Sequence, residues 1–390
     1  MASSLVEGAE AHLQSAPRGR GKTGSADRDE HFMARALALA ARGVGTTSPN
    51  PPVGAVVVRN GRIVGAGFHR RAGLAHAEVL ALRQAGARAQ GGTLYLSLEP
   101  CCHLDKRTPP CVPAILRTGI VRVVVATRDP NPKVRGRGIQ ALRREGVKVE
   151  VGIRRSEAEA LLEPYRTRVT TGRPFVTLKI AATLDGKIAT ARRESRWITG
   201  PAARRAVGKL RESSDGILVG IGTVLADDPS LTSRKDSTRA SNPLRIILDP
   251  KLRIPLKAQV LTDGKAQTLV LTTRSSAKKK RQLLAACGAD VLVLPDDAGR
   301  FAWKIILDEL GRRGLNALLI EGGAEVSASA LRSGAVDKLM YFIAPRLLGG
   351  NDAVGAIGGS SPARLLEALA LRDTTVSRIG ADILVTGRLR

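Results

Sequence analysis

Aromatic side chains are scarce in this chain of 390 residues: phenylalanine, tyrosine and tryptophan together make up 3%. Its cores must therefore be built from alanine, valine, leucine and isoleucine, and it lacks the stacking platforms that single-strand nucleic-acid binders need. No run of about 18 apolar residues occurs, so no membrane-spanning helix is expected. A basic start followed by an apolar stretch and a small-residue cleavage site is missing too, and a cytoplasmic protein is the default expectation. Acidic residues are short, 35 against 62 Lys and Arg, which leaves a formal net charge of +27. Such a balance invites a nucleic-acid reading, but the charge is dispersed. The first 30 residues hold four Lys/Arg and five Asp/Glu, and the one dense run, Lys278-Lys279-Lys280-Arg281, has no aromatics beside it. A solvated arginine-rich surface with no nucleic-acid or membrane partner is the simpler account, anionic small substrates explaining part of the excess.

Cysteine is also rare: Cys101, Cys102, Cys111 and Cys287 are the only four. Three fall within eleven residues, and in a cytosolic chain such clustering points to metal or catalysis rather than disulfides. Cys287 reads as core filler at a helix end.

What is present reads as two alternating sets of strands and helices. Residues 1–29, rich in Ala, Gly, Ser and Arg, form a flexible extension, and a helix begins near Asp29. Residues 30–165 then give a hairpin, Val53–Val58 and Ile63–Phe68, joined by Asn60-Gly61. Helices at His76–Ala87, Val112–Arg117, Arg137–Glu145 and Ser156–Leu162 alternate with strands at Thr93–Leu98, Arg122–Thr127 and Lys148–Gly152. Residues 166–174 read as a linker. Residues 175–390 repeat the alternation, with strands at Phe175–Ala181, Ile217–Ile221, Leu244–Leu248, Thr268–Leu271, Val291–Leu294, Ala317–Glu321 and Leu339–Ile343. This pattern predicts mainly parallel sheets covered on both faces.

The first half carries His76-Ala77-Glu78, Glu99-Pro100-Cys101-Cys102 and Thr108-Pro109-Pro110-Cys111. A catalytic zinc takes three nitrogen or sulfur ligands and keeps a fourth position for water. His76, Cys101 and Cys111 meet that count, and Glu78 stands where a proton-handling carboxylate is required. The order matches the zinc-deaminase signature H-x-E…P-C-x-x-C, except that position 104 is Leu, so the second thiolate must come from Cys111. His103 is a rival ligand, and Cys102 is the neighbour of the matching cysteine. His69 reads as a surface or substrate-side residue. Asn50, in a loop fixed by flanking prolines, can offer donor and acceptor groups to a base edge.

In the second half, Glu321-Gly322-Gly323-Ala324-Glu325 follows a strand and opens a helix, a turn that lets a phosphate approach backbone N–H groups. Lys179 and Asp185-Gly186-Lys187 follow the first strand of this half. Trp197 lies in a polar stretch and is either a stacking surface or a core plug. Thr272-Thr273-Arg274 could grip a ribose phosphate.

Taken in order, these stretches resemble the RibD family of bifunctional bacterial riboflavin-biosynthesis enzymes, from about residue 30 to the end. Further matches are Asn50-Pro51-Pro52-Val53-Gly54, Asp129-Pro130-Asn131-Pro132, Thr183-Leu184-Asp185-Gly186-Lys187, Ser195-Arg196-Trp197-Ile198-Thr199 and Val224-Leu225-Ala226-Asp227-Asp228-Pro229. The resemblance implies a cytidine-deaminase-like three-layer α/β/α domain followed by a dihydrofolate-reductase-like α/β domain. It implies a zinc-dependent deamination of a phosphorylated diaminopyrimidine and an NADPH-dependent reduction of its ribosyl group to ribityl. It makes His76, Cys101 and Cys111 the zinc ligands and Glu78 the proton shuttle. Ser195, Arg211, Leu231, Arg234 and Glu321, with Lys179 and Asn50, are then expected to contact substrate, the two arginines suiting a 5′-phosphate. Ala181, Trp197, Thr223, Asp227, Gly323, Ala324, Glu325, Val326, Ser327, Ala328 and Ser329 are expected to contact NADPH. A homo-oligomer acting on a small phosphorylated pyrimidine is the expected state. The chain departs from the family pattern at Cys102, in the length of the Cys101–Cys111 loop, and at Ala181, where glycine is usual.

Overall fold

The computed structural model describes residues 25–103, 108–233, 242–297 and 299–389. The extension expected over residues 1–29 therefore lies mostly outside the described residues, and the first helix already begins at Ser25. The chain divides into two compact units, Met1–Gly172 and Arg173–Arg390.

The first unit runs α1 (Ser25–Ala41), β1 (Gly54–Arg59), β2 (Arg62–Phe68), α2 (Ala77–Ala85), β3 (Thr93–Leu96), α3 (Cys111–Leu116), β4 (Arg122–Val125), α4 (Arg137–Arg144), β5 (Lys148–Val151) and α5 (Arg155–Thr171). Its sheet has the order β2-β1-β3-β4-β5. β1 pairs antiparallel with both β2 and β3, whereas β3, β4 and β5 are parallel. The sheet is thus mixed. Alternation along β1 shows why it is covered twice. Ala55 and Val57 pack with Ala77, Ala81 and Leu82 of α2, and Val56 and Val58 pack with Phe32, Met33 and Ala36 of α1. Two glycines set how closely the helices approach. A Cβ on Gly54 would lie 2.0 Å from the Ala36 carbonyl oxygen, and one on Gly65 would lie 2.1 Å from that of Ala81. Such backbone-to-backbone contact fixes α2, whose N-terminus carries the His76 cluster.

The linker expected at 166–174 is a correction: α5 continues through Thr171, and Gly172 in a left-handed conformation (φ 80°) ends it. The polar composition that suggested a connector is the exposed face of a helix.

The second unit comprises β6 (Phe175–Thr183), β7 (Lys187–Ala189), α6 (Pro201–Glu212), β8 (Gly216–Gly220), α7 (Ile221–Asp227), β9 (Leu244–Leu248), α8 (Gln259–Thr262), β10 (Thr268–Thr273), α9 (Lys278–Ala286) and β11 (Asp290–Leu294). It continues with the two-residue strands β12 (Asp296–Asp297) and β13 (Arg300–Phe301), then α10 (Trp303–Arg312), β14 (Ala317–Ile320), α11 (Ala324–Arg332), β15 (Lys338–Ala344), β16 (Val354–Gly355), β17 (Arg372–Ile379) and β18 (Asp382–Arg388). Its nine-stranded sheet has the order β11-β10-β9-β8-β14-β6-β15-β18-β17. The pairs from β11 through β15 are parallel, and β18 and β17 add an antiparallel edge. One face packs Val176, Leu178 and Leu218 against Trp303, Ile306 and Leu310 of α10. The other packs Ile217, Val219 and Val270 against Val224 and Leu284. The ends of β8, β14 and β6 lie side by side, the place where an open parallel sheet receives ligands.

Candidate active sites

In the first unit, His76 caps α2, β3 leads into the Glu99-Pro100-Cys101 turn, and Cys111 opens α3. These elements bring three ligand atoms together. His76 Nδ1 lies 3.5 Å from Cys101 Sγ and 3.2 Å from Cys111 Sγ, and all three atoms fall within 4.8 Å of one another. Zinc bonds of about 2.0 Å to nitrogen and 2.3 Å to sulfur at a tetrahedral angle put such atoms about 3.5 Å apart. The donor set and spacing therefore fit a catalytic zinc. Thr108 Oγ1 lies 3.1 Å from His76 Nε2. A ring N–H donated there leaves Nδ1 as the metal-facing lone pair.

The rivals separate cleanly. Cys102 packs against the core beside α2 and α3, and burial, aided by the nearby Glu99 charge, pushes its thiol up. His103 lines the cavity but does not belong to the three-ligand cluster. Cys287 is exposed rather than core filler, because it caps α9 on the solvent side. Of the two readings of His69, surface or substrate side, burial excludes the first, and the residue lines the cavity.

The cluster forms one wall of a cavity of about 580 Å³ that also contains Asn50, His69, Glu78, Asp129 and Lys133. Glu78 is buried, and its Oε2 has no hydrogen-bond partner among the described residues. Burial first, and the neighbouring Cys101 sulfur second, raise its pKa above the usual carboxylate range. A carboxylate in that condition is suited to hold and release a proton. His69 Nδ1 donates to the Ala75 carbonyl at 3.2 Å, so Nε2 accepts from the Asn50 side-chain amide at 3.0 Å. That contact orients Asn50 with its amide nitrogen on the histidine.

Asp129 was part of a matching stretch but had no assigned role. It is 6% exposed, and its Oδ1 accepts from the Asn131 N–H at 2.8 Å and the Tyr165 hydroxyl at 3.2 Å. Burial pushes it up to about 7, against the pull of those bonds. Only the assembled cavity reveals this, since nothing in Asp129-Pro130-Asn131 marks the aspartate as buried.

In the second unit, Glu321 follows β14 and is clamped by two cations. Arg211 Nε and Nη2 meet its two oxygens at 2.6 and 3.0 Å, and Lys179 Nζ lies 3.2 Å away. Burial works to raise its pKa, but Lys179 and Arg211 hold it at about 2. Arg211, expected as a phosphate partner, thus spends its fork on Glu321, with Nη1 on the Thr232 carbonyl. Ser195 donates to Asp227 at 2.9 Å, and Arg196 donates to the Asp227 carbonyl. Trp197 is 51% exposed with the Arg204 guanidinium 4.8 Å from its ring centroid, so it is a stacking surface and not a core plug. A Cβ on Gly323 would lie 3.7 Å from Thr223 Oγ1, and one on Gly322 would meet Val326 at 2.7 Å. Gly322 is thus required for the close packing of Val326, whereas Gly323 has room for an ordinary contact with Thr223 at the start of α11.

Other expected contacts are placed differently. Leu231 is 2% exposed within the core, so its side chain forms no part of an open surface, whereas Ala181 is only partly buried beside Phe342. Ala328 is buried, and Ser329 accepts from the Trp303 indole at 2.9 Å. Glu325 and Ser327 sit on the first turns of α11, and the Ser327 hydroxyl is buried without a hydrogen-bond partner. The Thr272 and Thr273 hydroxyls both donate to the Pro250 carbonyl, leaving exposed Arg274 as the one member of that triplet open to solvent. Arg234 lies outside the described residues.

Comparison with known proteins finds both halves. A family model described as the cytidine and deoxycytidylate deaminase zinc-binding region matches residues 26–127, and one described as the RibD C-terminal domain matches residues 174–385. The chain is 45% identical over 357 residues to a protein of Aquifex aeolicus named riboflavin biosynthesis protein RibD, covering 92% of this chain and 97% of that one. An Escherichia coli protein of the same name is 40% identical over 368 residues, covering 91% and 98%. A solved structure of Acinetobacter baumannii RibD superposes with a TM-score of 0.85 at 38% identity, over 94% of this chain and 100% of that one. Another, from Thermotoga maritima, has a TM-score of 0.83 at 35% identity with the same coverage. It carries the name diaminohydroxyphosphoribosylaminopyrimidine deaminase/5-amino-6-(5-phosphoribosylamino)uracil reductase.

Two predictions follow from this geometry. Cys111→Ser is expected to abolish stoichiometric zinc in dialysed protein, whereas Cys102→Ser retains it; metal analysis of both variants checks the ligand set. For Asp129, the folded carboxyl binds its proton more tightly than an unfolded one near 3.9. Its stabilising contribution is therefore complete below about pH 4 and is lost as pH rises through about 7. Asp129→Asn removes that loss, so urea melts should show wild type falling behind the variant between pH 4 and 8, by on the order of 3 kcal/mol. Parallel pH profiles would contradict the assignment.

Proposed function

The chain belongs to the RibD family of bifunctional deaminase–reductases of riboflavin biosynthesis, and on that premise we propose which compounds its two sites act on and which side chains act. The first unit deaminates 2,5-diamino-6-ribosylamino-4(3H)-pyrimidinone 5′-phosphate at its 2-amino group. Zinc, when bound, supplies a Lewis acid that makes water nucleophilic near neutral pH. His76, Cys101 and Cys111 hold it, and Glu78 takes a proton from the attacking water and returns protons to the departing nitrogen. One C–O bond forms, one C–N bond breaks, and ammonia leaves. Asn50, fixed by His69, accepts from the base through its side-chain oxygen. The observation that carries this reading is the buried Glu78 carboxylate beside the His76, Cys101 and Cys111 cluster, one oxygen without a partner among the described residues.

The second unit reduces the ribosylamino group of the deaminated compound to ribitylamino. NADPH, when bound, supplies the hydride for the sugar C1. Trp197 provides an exposed ring, and Thr223 with the Gly323-Ala324-Glu325-Val326 turn receives the cofactor's phosphates. Ser195, Arg211 and Glu321 face the substrate, with Arg234 proposed for its phosphate. Lys179, paired with Glu321, and Asp227, through its oxygen not engaged by Ser195, are the two groups proposed as source of the proton that accompanies hydride transfer. Arg274 recognises the 2′-phosphate that distinguishes NADPH from NADH.

Incubating the full chain with the diaminopyrimidine tests both halves. Ammonia and a uracil product one mass unit heavier are expected without NADPH, and a further two mass units only with it; reduction before ammonia release would overturn the order. Arg274→Ala should cut the preference for NADPH over NADH by about tenfold or more, read from kcat/KM with each cofactor. An unchanged ratio would remove Arg274 from the cofactor site.

A further inference from the structure

Between β15 and β17, residues 345–359 form a strap along one end of the nine-stranded sheet. Apolar burial holds it only at Ala356, which is 7% exposed in the core, since Leu347 and Leu348 are 73% and 42% exposed. Hydrogen bonds hold the rest. The Arg346 carbonyl accepts from Leu184 N–H at 2.8 Å, and Ala356 N–H donates to the Gly186 carbonyl at 2.9 Å. β16 within the strap pairs with β7.

The side chain that ties the strap down is Asp185. Its Oδ2 accepts from Gly349 N–H at 2.7 Å, and Leu348 N–H reaches both carboxylate oxygens at 3.2 and 3.3 Å. The Thr183 hydroxyl donates to Asp185 Oδ1 at 2.5 Å and itself accepts from Lys187 N–H at 2.9 Å. That hydroxyl and the Gly349 N–H hold the Asp185 carboxyl at about 2, so it is ionised at every working pH. Gly349 is left-handed (φ 65°), a conformation that lets the chain turn its N–H onto the carboxylate.

The two ends of the strap reach the two places proposed for cofactor contact. Arg346 Nη1 donates to the Trp197 carbonyl at 3.2 Å. Gly358 N–H donates to the Ala324 carbonyl at 3.1 Å, and a Cβ on Gly358 would lie 2.4 Å from Glu325 Oε1. One latched segment therefore links the exposed tryptophan to the first turn of α11.

We propose that Asp185 is a positioning residue for the reductase cofactor: by latching the 345–359 strap through Leu348 and Gly349, it sets Trp197 and the Ala324–Glu325 turn at the spacing that binds NADPH. The inference rests on the NADPH reading above. It assigns Asp185 no contact with substrate or cofactor, so its loss acts on cofactor affinity and not on turnover once the site is filled.

The test uses the full chain, with NADPH binding measured at equilibrium by its fluorescence, alongside kinetics and tryptic cleavage after Arg346. Asp185→Ala is expected to raise the Kd for NADPH about tenfold while kcat at saturating NADPH changes less than about twofold. Cleavage after Arg346 in cofactor-free protein should accelerate. Leu348→Pro removes one donor from the other side of the latch and should reproduce the shift; the double variant should bind no worse than the weaker single one, because both remove the same link. Asp185→Asn, which keeps one acceptor oxygen, should fall between. Retained kcat at saturating NADPH, together with an unchanged far-UV circular dichroism spectrum, reports an intact second unit in each variant. A wild-type chain that binds no NADPH would sink the cofactor reading itself. Wild-type binding with unchanged Kd in Asp185→Ala and Leu348→Pro, or a loss confined to kcat, would sink the latch alone.

Discussion

Glu99 ties the deaminase unit together. Its two oxygens accept four backbone N–H groups: Oε1 from Gly138 at 3.0 Å and Ile139 at 3.2 Å, Oε2 from Asp129 at 3.1 Å and Gly136 at 2.9 Å. An anion at the start of α4 satisfies donors that the helix itself cannot. The same carboxylate thereby joins the end of β3, the Asp129 loop and α4 into one body. Pro100 and Cys101 follow directly, and Gly138 lets them seat, because a Cβ there would lie 2.1 Å from the Pro100 carbonyl oxygen. Cys101 N–terminal geometry then carries across the site: the Cys101 carbonyl accepts from the N–H of Cys111 at 3.0 Å and of Val112 at 3.3 Å. The Glu99 carboxylate thus anchors the turn that carries Cys101, and the Cys101 carbonyl in turn anchors the start of α3 at Cys111.

The two sites solve opposite electrostatic problems. In the first unit Glu78 is left with an oxygen unsatisfied among the described residues in a buried wall, a condition that costs stability and keeps the group responsive to whatever enters the cavity. A bound dication would pull the same carboxyl back toward ionisation. In the second unit Glu321 is equally buried but fully compensated by Lys179 and Arg211. Removing either cation would strand a buried charge. Glu321 is therefore a fixed point around which the ammonium and the guanidinium are aimed, while Glu78 is a group poised to change protonation state. Both are glutamates next to strand or helix ends, and their surroundings alone separate the roles.

Much of this was legible in the sequence because the relevant signals are local. His76, Glu78, Cys101 and Cys111 sit at strand–helix junctions that apolar periodicity locates to within a residue or two, and Asn60-Gly61 marks its hairpin. Signals failed where the deciding partner is distant. The segment 166–171 is polar because α5 shows one face to solvent, and composition alone cannot tell that from a connector. The hairpin of β17 and β18 was missed because β17 is an exposed edge strand, so its residues carry no buried alternation to read. Cys102 and Cys101 are chemically identical neighbours, and only the core beneath the first separates them. The hydroxyls of Thr272 and Thr273 look like ligand donors until Pro250, 22 residues away from Thr272, is seen to accept from both.

The choice of histidine nitrogen shows how far a motif can go. H-x-E states that an imidazole is present; it does not state which nitrogen faces the sulfurs. That is settled by Thr108, which lies in the loop whose length departs from the short form of the signature. With Nε2 turned to the Thr108 hydroxyl, Nδ1 is the atom between Cys101 and Cys111. Thr108, near the end of that segment, thus contacts the far side of the imidazole that faces both sulfurs. His69 follows the same logic one layer out: its Nδ1 is given to the Ala75 carbonyl, the residue before His76, which turns its other nitrogen toward Asn50. The backbone that presents the metal-facing imidazole thus also sets the tautomer of its neighbour. The Asn50 amide and the sulfur-facing ring are coupled through two consecutive residues at the start of α2.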